Sequence, residues 1–369
     1  MKIKNKVLKG ILSALLIILI VAAIYVIYVM LQYSRIEDNQ KLEIQSSQAT
    51  VSSLEAGKTY TALTYNIGFG AYSPSYSFFM DSGVMKDGTK VQGKYGRGFS
   101  KEDILKNTNG VIDQIDLFDP NFILMQEVDT DSTRSYGVNQ VEMAKDKFAD
   151  MASDFAINFH SSYAMVPITD PHGIANAGLL TFSDADIKSA IRKSYPVSNS
   201  FPAKYFDLDR CFSVSFIQVD NEKTLSLINS HMSAYDKGGV IRAKQLELLN
   251  SYAQEEYEKG NYVIIGGDFN HALGTDVANA FETQQEFPEW VNILDDKDLA
   301  ECLHIVKASN RFEVATCRTT DIPYKKGVNY TTVIDGFLVT DNVKATAINI
   351  DNGYAFSDHQ PVLMSFSLN

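Results

Sequence analysis

Tyr262-Val263-Ile264-Ile265-Gly266-Gly267-Asp268-Phe269-Asn270 is the stretch from which the rest of the chain can be read. Four apolar or aromatic residues make a short buried strand, and two glycines open it into a turn. Asp268 and Asn270 then follow at once. Gly, Asp and Asn each favour turns, so an ordinary turn explains them taken singly. A carboxylate at the end of a buried strand, however, needs a partner or a cation.

The same arrangement recurs outward from this point. Upstream, Val240–Glu258 has helical spacing and is closed by Gly260, and Leu225–Asn229 is a strand that runs into Ser230-His231. Downstream, Asp335 interrupts the apolar run Thr332–Val339, and Ser357-Asp358-His359 precedes a last strand at Val362–Ser367. Near the start, Tyr60–Tyr65 alternates as a strand and stops at Asn66, while Phe122–Met125 leads into Gln126-Glu127. Between these two, Ser100 and Asp103 form a capping box for a helix whose face is Ile104, Val111, Ile112, Ile115 and Phe118, ended by Asp119-Pro120. Residues 138–151 are expected to be helical, and Gly178–Phe182 and Cys211–Val219 to be strands. Strands alternating with helices and no internal repeat predict one α/β (α+β) domain over 58–369. Strand ends in such a fold share an edge, so Asn66, Glu127, His231, Asp268, Asn270, Asp335, Asp358 and His359 are expected in one cleft.

The ends of the composition agree. Of 369 residues 45% are hydrophobic and 21% charged, which excludes a disordered chain. The net charge of −12 is uneven. Residues 1–35 hold Lys2, Lys4, Lys6, Lys9 and Arg35 with no acid, leaving 28 basic against 45 acidic residues, or −17, in the remainder. A body this acidic has no global pull on polyanions, so phosphate binding calls for a metal or a local basic strip. Cys211, Cys302 and Cys317 are too few for a disulfide framework; Cys302 and Cys317 either pair or stay as buried thiols.

Ile11–Leu31 is a run of 21 uncharged residues. At about 1.5 Å per residue a helix of that length spans a bilayer core. A cleaved signal peptide would have a shorter apolar core, and Gln32-Tyr33-Ser34-Arg35 is a poor cleavage site. The expected organisation is therefore a basic cytoplasmic tail (1–10), a transmembrane helix (11–31), a polar tether rich in Gln and Ser (32–57) and the α/β body (58–369). Four lysines on the N-terminal side put that body outside the cytoplasm, as a single-pass cell-membrane protein.

The order Asn66, Gln126-Glu127, Ser230-His231, Gly267-Asp268-Phe269-Asn270, Ile334-Asp335, Ser357-Asp358-His359 resembles the endonuclease/exonuclease/phosphatase superfamily, the deoxyribonuclease I-like group, over roughly residues 59–367. The resemblance implies a four-layer sandwich, two stacked β-sheets flanked by helices, and divalent-metal-dependent phosphoester hydrolysis. It implies Mg²⁺ or Mn²⁺, as one or two ions, held chiefly by Glu127 with Asn66 and Asp358. It makes His359 the general base, oriented by Asp335, with Asp268 placing the nucleophile and Asn270 bonding the phosphoryl oxygens. His231 would stabilise the transition state or protonate the leaving oxygen. In the group a second carboxylate orients the histidine that matches His231, and Asp154 and Asp170 are its candidates here. Oxygen and amide donors suit a hard cation, and no Cys/His cluster of zinc type is present.

Other residues bear on the substrate. Arg134, shortly after Glu127, is placed either for a bidentate phosphate contact or for a structural ion pair, with Arg210 as a second candidate for the phosphate. Ala71–Phe99 is expected to overhang the cleft with Tyr72, Tyr76, Phe78 and Phe79 and with Lys86, Lys90, Lys94 and Arg97. It is read either as a platform for a substrate or as a loop with a small core of its own. The expected substrate is nucleic acid, cut by a nuclease-type phosphodiesterase. The alternatives are a phosphatase or sphingomyelinase-like enzyme on a sugar phosphate or lipid headgroup, or a non-catalytic binding module on the same fold. No protein partner is implied. The charge asymmetry around Ile11–Leu31 carries a direct test. Protease added to intact cells should digest the body of the protein, whereas protection of the body would reverse the orientation.

Overall fold

Alternate residues of each central strand face opposite layers, and this parity builds the molecule. The computed structural model describes residues 2–369 apart from 49, 199, 201–202, 206–207 and 235–238. Tyr60, Ala62, Phe122, Leu124, Leu225, Leu227, Tyr262, Ile264, Phe337 and Val339 fill the space between two sheets. Their neighbours Leu63, Tyr65, Ile123 and Met125 pack outward on Val111, Ile112 and Ile115 of the helix Lys101–Phe118. On the other side Ile228, Val263, Ile265 and Leu338 share a core with Leu249 and Ala253 of the helix Val240–Glu258. The architecture is helix, sheet, sheet, helix.

Each sheet has seven strands. One runs in the order Gln40–Lys41, Ile187–Ser194, Cys211–Gln218, Thr224–His231, Tyr262–Asp268, Asp335–Thr340, Leu303–Ile305. The other runs Val343–Asn349, Val362–Leu368, Thr59–Asn66, Phe122–Asp129, Asn176–Ser183, Ala152–His160, Ile44–Gln45. Each holds one parallel pair joined through a helix. Thr224–His231 lies parallel to Tyr262–Asp268, and Thr59–Asn66 parallel to Phe122–Asp129. Parallel neighbours end on the same edge, which sends Asn66, Glu127, His231 and Asp268 to one end of the sandwich.

Local signals behave as their chemistry dictates. Ser100 Oγ accepts from the Asp103 N–H at 3.1 Å, and the helix stops at Asp119 in a left-handed conformation (φ 43°) before Pro120. Residues 138–151 form a shorter helix, Gln140–Lys147, because Asn139 caps it late and Ala152 already enters a strand. The segment 32–57, polar enough to read as a free tether, is stitched to the body. Its two short strands extend one sheet each, and Leu54, 1% exposed, bonds through its N–H to Gln218 O at 2.9 Å. The N-terminal helix Lys2–Gln32 contains a stretch, Asn5–Gln32, long and apolar enough to cross a membrane, and almost none of it is buried.

Toward the end where Asn66, His231 and Asp268 lie, the inner rows turn polar, and Gln126 meets Asn229 across the two sheets. Gln126 Nε2 donates to Asn229 Oδ1 at 2.8 Å, and Asn229 Nδ2 reaches Met125 O and Leu180 O at 3.2 Å each. Both residues are wholly buried. Asn229→Ala would take one acceptor from the Gln126 amide, which keeps Leu124 O and Thr64 Oγ1 at 3.1 Å each, and a side-chain donor from two buried carbonyls. It should lower the free energy of unfolding by about 2–4 kcal/mol, read from urea denaturation in detergent; a loss below about 0.5 kcal/mol would show that the clamp carries little.

Candidate active site

The site is the polar end of the inner rows. Counting by twos, Tyr60, Ala62 and Thr64 lead to Asn66; Leu225, Leu227 and Asn229 lead to His231; Tyr262, Ile264 and Gly266 lead to Asp268. Strand register then lines up three of the groups, with His231 opposite Asp268 and Asp268 opposite Asp335. Asn66 pairs with Gln126 in the facing sheet. Glu127 is out of step with this parity. A register shift lies between Met125 and Val128, and Glu127 takes a left-handed conformation (φ 56°), a bulge that re-aims its carboxylate into the cleft.

Asp268, 1% exposed, is the meeting point. Asn66 Nδ2 donates to its Oδ2 at 3.0 Å across the sheets, and the same oxygen lies 3.3 Å from His231 Nε2 and 3.8 Å from His359 Nε2. Its Oδ1 accepts the Asn270 N–H at 2.8 Å, which fixes the turn that follows. Asn270 (φ 50°) is further held by its amide on Met232 O at 2.9 Å and by Arg242, whose guanidinium donates to the Asn270 carbonyl at 2.8 Å. Both Asp335 oxygens face His359 Nδ1, at 2.9 and 3.0 Å, leaving Nε2 turned to the cleft. Asp335 is itself anchored, since Thr316 Oγ1 accepts the N–H groups of Ile334 and Asp335 at 2.9 and 3.1 Å.

The two histidines are driven apart electrostatically. Burial and the Arg210 charge hold His231 below the ordinary imidazole value. Burial also works against a charge on His359, but Asp335, Asp358 and Asp268 outweigh it and raise His359 well above that value. Asp268 stays ionised, because the two histidines and the Asn270 N–H more than offset its burial. Glu127 is held below the usual carboxylate range in the same way, by His231, Arg134, Arg210 and His359 against burial. Asp358, by contrast, is pushed up to about 7 by burial together with the charges of Glu127 and Asp81.

Glu127 is thus a charged oxygen donor that disfavours ionisation of Asp358, a second one, and a quarter of the Glu127 side chain is open to solvent. Asn66 Nδ2 is 3.3 Å from Glu127 Oε1. Hard oxygen donors carrying excess negative charge fit a divalent cation. A second group that suits a cation is Asp268, Asp335 and His359, with one ligand atom from each within 4.8 Å of the others. Both Asp335 oxygens in that group are already engaged by His359 Nδ1, which favours Glu127 and Asp358 as the cation's holders.

Other expectations need correcting. Arg134 does not reach out for phosphate: it is 5% exposed, bonded to both oxygens of Asp129 at 2.8 to 3.3 Å, and stacked 4.0 Å from the Phe69 ring. Arg210, also buried, acts on both Glu127 and His231 through its charge. Tyr72, Tyr76 and Phe78 of the insert turn inward with Phe69, Ile104 and Val138 into a core of their own, so they offer no stacking platform. Neither carboxylate candidate orients His231, whose Nδ1 has no hydrogen-bond partner among the described residues. Asp170 is bound to Arg97 and to the Gly96 N–H, and Asp154 accepts from Ser215. All three cysteines are free and buried. Cys317 was not singled out by any motif, yet its Sγ lies 3.8 Å from His359 Nε2, through a bridge between residues 317 and 359 that sequence spacing does not reveal.

Comparison with known proteins agrees with this geometry. The model of the endonuclease/exonuclease/phosphatase family matches residues 63–359. The chain belongs to that family, whose members are phosphoester hydrolases that use divalent metals. Among solved structures it is similar to an endonuclease/exonuclease/phosphatase from Beutenbergia cavernae, at 14% identity, TM-score 0.54, with 85% of this chain and 72% of that one covered. It is also similar to a family protein from Leptotrichia buccalis (15%, TM-score 0.52, 84% and 99% covered). A third is truncated TDP2 from Caenorhabditis elegans (14%, TM-score 0.50, 85% and 99% covered). At these identities the likeness is one of fold. No curated protein matches the sequence.

Asp154 yields a test away from the cleft. Burial raises its carboxyl to about 7, against the opposing hydrogen bond from Ser215, and Oδ1 has no hydrogen-bond partner among the described residues. A carboxyl raised on folding contributes stability in its neutral form, fully present below the unfolded value of 3.8 and lost as pH rises through about 7. Asp154→Asn should therefore gain stability over the parent at about pH 8 relative to about pH 5. Equal differences in urea midpoint at the two pH values would contradict the assignment.

Proposed function

We propose that this protein is a membrane-anchored, divalent-metal-dependent phosphoester hydrolase whose catalytic body lies outside the cytoplasm. The observation that carries the chemistry is the Asp335–His359 pair, with Nδ1 held by the carboxylate at 2.9 Å and Nε2 turned to the cleft beside Asp268. Asp335 fixes the tautomer and makes Nε2 a stronger base, which suits removal of a proton from an attacking water. Asp268 lies between the two histidines and orients that water. His231, kept neutral-leaning, sits where it can bond the phosphoryl or leaving oxygen, and Asn270 lines the same end of the row.

Glu127 and Asp358, with Asn66, would hold Mg²⁺ or Mn²⁺. When bound, such an ion neutralises phosphate charge and polarises the phosphorus–oxygen bond. One ion or two both accord with the donor set. The span Asn5–Gln32, with lysines on its N-terminal side, supports the anchored, extracytoplasmic arrangement.

A nuclease-type phosphodiesterase is the family's commonest reading, but of the cations available for a basic strip (Lys86, Lys90, Lys94, Arg97 and Arg134) Arg134 is engaged by Asp129 and Arg97 by Asp170. Lys86 bonds Thr283 O. Small or lipid-borne phosphoesters therefore agree better with this cleft than a long polyanion does.

Hydrolysis of bis(p-nitrophenyl) phosphate should disappear in EDTA and return with Mg²⁺ or Mn²⁺. His359→Ala should lower kcat by roughly 10²–10⁴-fold, and Asp335→Asn by a comparable factor through loss of the correct tautomer. Undiminished activity in EDTA, or in His359→Ala, would refute the mechanism.

A further inference from the structure

The edge that carries the catalytic groups is also the edge on which the N-terminal apolar helix lands. Strand register establishes this. Asp129, two residues beyond Glu127, pairs with Ala177, and Asn176 with His160, so the loop 161–175 lies at the Glu127 end. Ser230, beside His231, pairs with Phe212, and Cys211 with Ser194, so the residues flanking these strand ends, Tyr195 and Arg210, lie at the same end. The helix touches the first loop, and the residues just past its end touch the chain between Tyr195 and Arg210. Tyr25 Oη donates to Tyr163 O at 2.9 Å and accepts the Met165 N–H at 3.3 Å. Past the end of the helix, Arg35 pairs with Asp209 at 3.0 Å and the Tyr33 ring lies 5.0 Å from that of Tyr205.

The loop beside Tyr25 is apolar and open. Met165, Val166 and Ile168 are 45%, 56% and 85% exposed. Single apolar residues on a surface need no explanation, but three within four positions, against a helix of membrane-spanning length, are continuous with its apolar surface. Tyr25 lies about 10 Å along the helix from Gln32, at about 1.5 Å per residue, which places the loop at the depth where interfacial segments sit. The loop's backbone is prepared for such a place. Ala164 and Gly173 exchange hydrogen bonds at 3.0 Å, His172 N–H reaches Val166 O at 3.1 Å, and Asp170 N–H reaches Pro167 O at 3.0 Å. Tyrosines and Arg35 at the helix exit match the composition of a bilayer interface.

The loop is also tied to the wall of the cleft. Asp170 holds Gly96 and Arg97 of the insert, and the His172 ring packs on Phe69, next to Gly68, whose N–H bonds Asn66 Oδ1 at 3.0 Å. A loop seated in lipid therefore seats Asn66 and Glu127 with it.

We propose that loop 163–168 is a second membrane contact that holds the catalytic edge against the bilayer, and that the substrate is the headgroup phosphoester of a membrane lipid. The inference rests on the hydrolase reading above and on Asn5–Gln32 as a span. Hydrolysis adds one water across a phosphorus–oxygen bond of the headgroup, releasing an alcohol and a phosphate monoester, or inorganic phosphate from a monoester.

The full chain, reconstituted in phosphatidylcholine, sphingomyelin and phosphatidylglycerol vesicles, tests it. With Trp290→Phe as background, a tryptophan introduced by Ile168→Trp should be quenched by dibrominated phosphatidylcholine, as should one introduced by Ile18→Trp within the span. Quenching at 18 but not at 168 would overturn the loop contact, and no quenching at 18 would overturn the span itself. Ile168→Asp should lower release of headgroup phosphate from vesicles roughly tenfold, the scale of one lost apolar side-chain burial. It should leave bis(p-nitrophenyl) phosphate hydrolysis unchanged, since Ile168 is 85% exposed and is none of the groups that build the cleft. Equal loss on both substrates, or nicking of plasmid DNA with the vesicle lipids untouched, would overturn the substrate assignment. Loss of bis(p-nitrophenyl) phosphate hydrolysis in the parent would instead defeat the hydrolase reading.

Discussion

A carboxylate buried between two β-sheets costs several kcal/mol unless charge and hydrogen bonds compensate it, and Asp268 is such a group. Its compensation comes from both sheets at once: Asn66 from one, His231 from the other, His359 from the loop before the last strand, and the Asn270 N–H from its own turn. Removing any of these leaves the others facing an unbalanced charge. The packing of the two sheets and the assembly of the cleft are therefore one requirement. The Gln126–Asn229 clamp, one step closer to the apolar core, sets the sheet spacing that lets Asn66 reach across.

This arrangement explains why so much was legible in the sequence. Period-2 alternation assigns Asn66, His231, Asp268 and Asp335 to the inner face, and parallel pairing through a helix sends the strand ends to a shared edge. Both follow from short apolar runs that stop at a polar residue. The two helices that cover the sheets were equally plain, because Ser100, Asp119-Pro120 and Gly260 mark their ends. The strands Ala152–His160 and Ile187–Ser194 were less so; Ser, Asp, Asn, Lys and Arg interrupt them, and only pairing with Asn176–Ser183 and Cys211–Gln218 defines them.

What could not be read was which side chains pair once the chain is folded. Arg134 looked like a phosphate ligand because it follows Glu127, but the bulge at Glu127 brings Asp129 to it instead. For the aromatics of Ala71–Phe99 the sequence left a platform and a small core equally open, and the rings settle into the core, against Phe69 and Ile104. Cys317 beside His359, and Tyr25 beside Tyr163, join positions far apart in the chain with no local pattern to announce them. The polar composition of 32–57 hid two short strands because edge pairing is made by the backbone, to which composition is nearly blind.

The central claim is that Asn66, Glu127 and Asp358 form the cation-holding rim while Asp268, Asp335 and His359 are kept for moving protons. Anomalous scattering from crystals soaked in Mn²⁺ separates these roles directly. The account predicts a peak bounded by Glu127 and Asp358, with His359 Nδ1 still on Asp335. A first peak bounded by Asp268, Asp335 and His359, with Glu127 and Asp358 bare, would contradict it.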